Sequence, residues 1–96
     1  MTVETIEKPR VGAPGSGTGG DWRVIVLNDD HNTFEHVART LARVIPNLSV
    51  DQGYRIADQI HSSGRAIVWS GERELAELYW EQLNEAGLTM APLERG

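Results

Sequence analysis

Val24-Ile25-Val26-Leu27-Asn28-Asp29-Asp30 is an apolar, largely β-branched run that stops abruptly in an amide and two adjacent carboxylates. Such a run reads as a short strand, and here it extends back to Trp22. A helical pattern follows within a few residues, so the polar triplet falls on a loop at the edge of a sheet. Carboxylates and an amide oxygen accept hydrogen bonds and attract positive charge. The guest that suits them is a cation with several N–H donors, an ammonium group rather than a phosphate. Asn-Asp-Asp is also a common turn composition, because both residues bond their own backbone and tolerate unusual dihedrals. The triplet alone does not separate a ligand site from a turn.

Past the loop, Asn32 and Thr33 offer helix N-caps, and Asn32 with Glu35 has capping-box spacing. Phe34, Val37, Ala38, Leu41, Val44 and Ile45 recur at helical intervals, so one face of this first helix is buried, and Pro46 stops it. Ser49 and Gln52 have the spacing of a second capping box. The helix they open is weaker, with Gly53 in its first turn, apolar positions at Tyr54, Ile56, Ala57 and Ile60, and an end near His61-Ser62-Ser63-Gly64. Arg65 to Ser70 reads as a second strand and Gly71 turns the chain. A third helix is expected from about Glu72 to Ala86, with Leu75, Leu78, Tyr79 and Leu83 on one side, and Gly87 suits the position just past its end. Leu88 to Leu93 reads as a last strand, placed at an edge by Pro92. The order β-α-α-β-α-β predicts an α+β domain: a three-stranded antiparallel sheet packing three helices on one face.

Residues 1–20 are unlike the rest. Pro9, Pro14 and the glycine- and serine-rich stretch from Gly12 to Gly20 leave few large apolar groups to offset ordering entropy, which predicts a flexible N-terminal arm before a domain over residues 21–96. Gly15, Gly17 and Gly20 formally match a GxGxxG pattern, but no strand precedes them, and they read as linker. The formal net charge of -5 and the lack of a basic cluster argue against nucleic acid as a partner. No stretch approaches the length of a membrane span, which argues against a membrane. The chain has no cysteine, so disulfides, thiolate nucleophiles and Cys-based zinc sites are excluded together.

Catalysis finds little support. Ser16, Ser49, Ser62, Ser63 and Ser70 fall in the arm, caps or turns, and there is no phosphate loop. His36 on the first helix is expected to face solvent. A metal site drawn from Asp29, Asp30, His31 and His61 would combine hard oxygens with imidazoles, yet the local spacing matches no metal signature. No metal, cofactor or enzymatic activity is expected.

Leu27-Asn28-Asp29-Asp30, then Glu35-x-Val37 on a helix, then His61 at the end of the second helix and Gly64-Arg65-Ala66-Ile67 entering a strand form a familiar succession. The chain resembles, over roughly Trp22 to Glu94, the ClpS family of small adaptors, which deliver proteins with destabilising N-terminal residues to Clp ATP-dependent proteases. The resemblance implies that Asn28, His61 and the acidic pair Asp29 and Asp30 hold the substrate's α-ammonium, with the choice between the two carboxylates open. The chemistry agrees: an ammonium has three donors and one charge, and needs acceptors converging from different segments, including a neutral imidazole. It also implies an apolar pocket for the first side chain, lined by Asn32, Thr33, Phe34, Val37, Ala57 and Ile60. On the third helix, Glu74 matches an acidic position used against the unfoldase N-domain, and Tyr79 stands where a basic residue is usual. The implied partners are N-degron proteins or peptides and the N-domain of a Clp AAA+ unfoldase of ClpA or ClpC type, in the cytoplasm or a plastid stroma.

Two departures bear on specificity. The family's Tyr-Thr-Pro-Met after the acidic pair is here His31-Asn32-Thr33-Phe34, and its Met four residues before the histidine is Ala57. These changes predict a reshaped pocket beside an intact ammonium site. The alternative reading is a protein-interaction domain of the same fold without N-terminal residue recognition.

Overall fold

The computed structural model describes residues 21–96. The arm expected over residues 1–20 lies outside the described residues. The elements are β1 (Trp22–Leu27), α1 (Phe34–Val44), α2 (Val50–Ser63), β2 (Arg65–Gly71), α3 (Arg73–Glu85) and β3 (Glu94–Arg95). They form one antiparallel sheet in the order β2-β1-β3 with three helices, the α+β architecture expected from the chain order.

The caps explain where the helices begin. Thr33 is the N-cap of α1, its Oγ1 accepting from the His36 amide at 3.0 Å, so of the two candidate caps Thr33 serves and Asn32 does not. Ser49 and Gln52 close the expected capping box on α2. Such caps satisfy orphan amide donors and are worth about 1 kcal/mol each. The chain leaves α3 through Gly87 at φ 96°, a left-handed conformation that costs glycine nothing. The Leu88 amide donates back to the Leu83 carbonyl, closing a Schellman-type end.

The core lies between the helices and the face of the sheet carrying Val24, Val26, Ala66 and Val68. Leu41 of α1 and Leu83 of α3 are fully buried in it. Burying each is worth about 1.5–3 kcal/mol. α1 and α2 meet at a close approach that only glycine permits: a Cβ on Gly53 would stand 2.5 Å from the Ala38 carbonyl oxygen. The glycine that weakens the α2 pattern is therefore the contact that seats it. A bulge between Val24 and Ile25 sets Val24 opposite Trp69 and Ile25 opposite Ile67, leaving Val68 as the extra residue. Across the other face of the sheet, Glu94 reaches Arg65 at 3.1 Å and Arg23 at 3.9 Å, joining the two outer strands.

Two expectations are corrected. The last regular strand is Glu94–Arg95, paired with Trp22 and Arg23, and not Leu88 to Leu93. The latter segment does run along β1, with Leu27 donating to Thr89, Ala91 donating to Ile25, and Met90 opposite Val26. Pro92 has no amide hydrogen, and the ladder resumes as a regular strand only beyond it. On α3 the inner side is carried by Ala76, Tyr79, Trp80 and Leu83, while Leu75 and Leu78 are exposed. The Trp80 indole N–H donates to the Ala91 carbonyl at 2.8 Å, which turns this face towards the final segment.

Candidate functional site

Where β1 ends, a depression of about 380 Å³ opens to solvent. The end of β1 and its loop contribute Val26, Leu27, Asn28, Asp29 and Asn32. Phe34 and Val37 come from α1, Ala57, Ile60 and His61 from α2, and Leu88 from the segment after α3. Asn28, Asp29, Asn32 and His61 bring polar groups to an otherwise apolar lining. The amide of Asn28 donates to the Gly64 carbonyl at 2.9 Å, which sets the loop after β1 beside the end of α2 where His61 stands.

The two carboxylates of the acidic pair have different surroundings. Asp29 Oδ1 accepts from the amides of His31 and Asn32, both at 2.8 Å, and Oδ2 accepts from Asn32 Nδ2 at 2.7 Å and from the Thr89 hydroxyl at 2.8 Å. Burial by itself would raise its pKa. The hydrogen bonds from the Asn32 amide and side chain, from Thr89 and from His31 outweigh burial and hold the carboxyl well below the usual carboxylate range. Both oxygens are occupied with shaping the loop. Asp30 is exposed and is absent from the lining.

Of the residues expected to form an apolar pocket, Asn32, Phe34, Val37, Ala57 and Ile60 line the depression, and Thr33 does not, being committed to the α1 cap. Val37, Ala57 and Ile60 are buried. Phe34 is 42% exposed, so it is no plain core residue. Its ring meets His61 edge-on, with centroids 5.4 Å apart. Asn32 Nδ2 also donates to the Gly87 carbonyl at 3.0 Å, and the His36 Nε2–H donates to the Ala86 carbonyl at 2.9 Å. The front of α1 is thus tied to the end of α3, and His36 is exposed but engaged.

Val26, Leu27, Leu88 and Thr89 were not among the expected site residues. Their contributions are non-local, and none carries a sequence signal beyond an apolar or strand-like character. On α3, Glu74 is exposed beside Leu75 and Leu78, whereas Tyr79 is half-buried, its ring 4.9 Å from Trp69. Among the described residues, no group of three or more His, Asp and Glu side chains is placed to hold a metal ion. No helix of the described residues is long and apolar enough to cross a membrane.

Residues 18–94 match the family model of the ATP-dependent Clp protease adaptor protein ClpS. The chain belongs to the ClpS family. The ClpS adapter of Thermosynechococcus vestitus is 58% identical over 77% of this chain and 79% of the relative. That of Nostoc sp. is 48% identical over 97% of this chain and 96% of its own length. The structure of Agrobacterium tumefaciens ClpS2 bound to L-phenylalaninamide superposes with a TM-score of 0.71 at 32% identity, covering 81% of this chain and 99% of that one. Members of this family are adaptors of Clp proteases and not enzymes.

Proposed function

We propose that this chain recognises proteins by their first residue, gripping the free α-amine and a bulky hydrophobic side chain, and hands them to the N-domain of a Clp AAA+ unfoldase. The observation that carries this reading is the joint lining of one depression by Asn28 and His61 from separate segments and by Phe34, Val37, Ala57 and Ile60. An N-terminal residue bears an ammonium and a side chain on the same carbon, and so needs polar acceptors and an apolar wall side by side. L-phenylalaninamide, bound to the Agrobacterium relative, has that same pair of groups.

Within this reading Asn28 Oδ1 and a neutral His61 imidazole accept from the amine. The Asp29 carboxylate is already bonded on both oxygens and organises the loop. The exposed Asp30 supplies the free negative charge at the mouth. The outer face of α3, with Glu74 beside Leu75 and Leu78, meets the unfoldase. Tyr79 acts there only through its packing. In this reading the chain works in the cytoplasm, or in a plastid stroma if it comes from a plant lineage.

Calorimetric titration with short peptides that differ only in the first residue, each with a free and an acetylated amine, tests the reading. Acetylation removes the charge and two donors. Binding of free-amine peptides with bulky first residues, and loss of that binding on acetylation, is the expected result. Equal binding of all peptides, or of none, would leave a ClpS-fold interaction domain without N-terminal recognition.

A further inference from the structure

We propose that Thr89 is a positioning residue for amine recognition, acting through Asp29 on the loop that carries Asn28. The proposal rests on the adaptor reading above. Thr89 is not among the residues lining the depression. It grips the chain on both sides of Asn28. Its carbonyl accepts from the Leu27 amide at 2.8 Å, and its hydroxyl donates to Asp29 Oδ2 at 2.8 Å across 60 positions of sequence.

The other bonds to Asp29 come from His31 and Asn32, within three residues of it. Local bonds set the internal shape of the loop. They do not set where the loop stands relative to the sheet. The Thr89 hydroxyl contributes to that placement from a different part of the fold, on the side-chain side of the loop, alongside the main-chain bond from the Asn28 amide to the Gly64 carbonyl. Asn32 adds a second tie to the same turn through the Gly87 carbonyl, but Asn32 also lines the depression and so has two readings. Thr89 has one. Its bond places Asp29, and with Leu27 held by the Thr89 carbonyl, the Asn28 between them is fixed at both flanks. An acceptor for an ammonium is useful only when it is held where the donors will arrive.

The test is Thr89→Val, which keeps the β-branched shape and removes the donor, measured against peptides beginning with Leu, Phe and Trp. The expected result is about a tenfold loss of affinity, as for one hydrogen bond to a charged group. The loss should have the same factor for all three first residues, because the defect lies at the amine they share. Thr89→Ser, which restores the hydroxyl, should recover the affinity. In an Asp29→Ala background, Thr89→Val should cost nothing further, since its target is gone.

Thermal unfolding of each variant fixes a temperature at which all are folded, and Thr89→Ala replaces the valine variant should that one not fold. If wild type binds none of the peptides, the adaptor reading fails and this proposal with it. If wild type binds and the valine variant binds equally well, Thr89 has no positioning role while the adaptor reading stands. A loss that changes with the first residue, or full additivity with Asp29→Ala, would also overturn it.

Discussion

The rings of Phe34 and His61 meet edge to face, 5.4 Å between centroids and 64° between planes, joining the start of α1 to the end of α2. His61 thus faces an apolar neighbour on one side and lines the depression with Asn28. His61→Ala removes an imidazole acceptor and the contact that orients Phe34. Asn28→Ala removes an amide acceptor and leaves the main-chain bond to Gly64 in place. Asn28→Ala should weaken free-amine peptides by about 1–3 kcal/mol, the cost of unpaired donors in a desolvated contact. His61→Ala should do so by at least as large a factor. Melting temperatures should move little, because both side chains are exposed at the mouth. Titration beside thermal unfolding checks this, and wild-type affinity in both variants would mean the amine binds elsewhere.

Acid should expose the work of Asp29. Its folded-state pKa is depressed: burial opposes the charge, but the bonds from Asn32, Thr89 and His31 win. An unfolded Asp titrates near 3.9. Below that pH the unfolded chain takes up a proton that the native loop still refuses, so stability falls as pH falls towards the folded pKa, and is whole above about pH 4–5. Asp29→Asn should be less stable than wild type at pH 7 by about 1–2 kcal/mol, the low range for a partly buried group. It should lose less on acidification, so the two denaturation midpoints converge between pH 5 and 2. Parallel midpoints across that range would show that Asp29 is not the linked group.

Much of this site is written in local signals, and its omissions have a pattern. Ser49 with Gln52, Gly87 after α3, and the apolar spacing of α1 from Val37 onwards all act within a few residues, and each is where the sequence puts it; Phe34, at the head of that spacing, is exposed at the depression instead. The inner side of α3 is hidden because Ala76 carries little apolar weight, while Leu75 and Leu78 mimic a buried stripe and point outwards. The final strand is misplaced because Pro92 interrupts a ladder that otherwise follows β1. Thr89 has no local signal at all. Its role exists only once the fold brings it to Asp29.

Gly53→Ala tests the helix contact that shapes the α2 wall. Helix propensity favours alanine over glycine by about 1 kcal/mol. The close approach reverses the sign, because the new Cβ would stand 2.5 Å from Ala38 Oxygen and 2.9 Å from its Cα, which are main-chain atoms with little room to move. The expected outcome is a net destabilisation of about 1–3 kcal/mol, as for overpacking. Urea denaturation measures it. A variant as stable as wild type would show that α1 and α2 separate at no cost.

Delivery should depend on the face of α3 turned away from the core. Glu74, Leu75 and Leu78 share one side of that helix, at the spacing that makes helical neighbours. Glu74→Arg should weaken binding to an isolated Clp N-domain and slow degradation of a reporter with a free hydrophobic N-terminus. Peptide affinity should not change, since Glu74 is absent from the depression. Loss of peptide affinity, or unimpaired N-domain binding, would remove this face from the delivery step.

Side-chain choice should follow from the ring at the mouth. A methionine wall has three rotatable bonds and re-forms around its guest; a phenylalanine ring has two torsions and a fixed outline. Phe34 is 42% exposed and lies against His61, so it stands at the entrance of the depression, beside the residue proposed to accept the amine. Ala57 and Ile60 are buried behind it and bound the space a guest can fill. A slim, flexible leucine can enter beneath the ring, whereas indole must displace it and break the contact with His61. Leu-first peptides should therefore bind more tightly than Trp-first peptides, by roughly tenfold, the scale on which apolar pockets discriminate. Phe34→Met should narrow that gap by improving the aromatic guests more than leucine. Parallel titrations with peptides beginning in Leu, Phe, Tyr and Trp decide it: tighter binding of Phe or Trp by the wild type would mean that the ring gives way to aromatic guests and is no barrier.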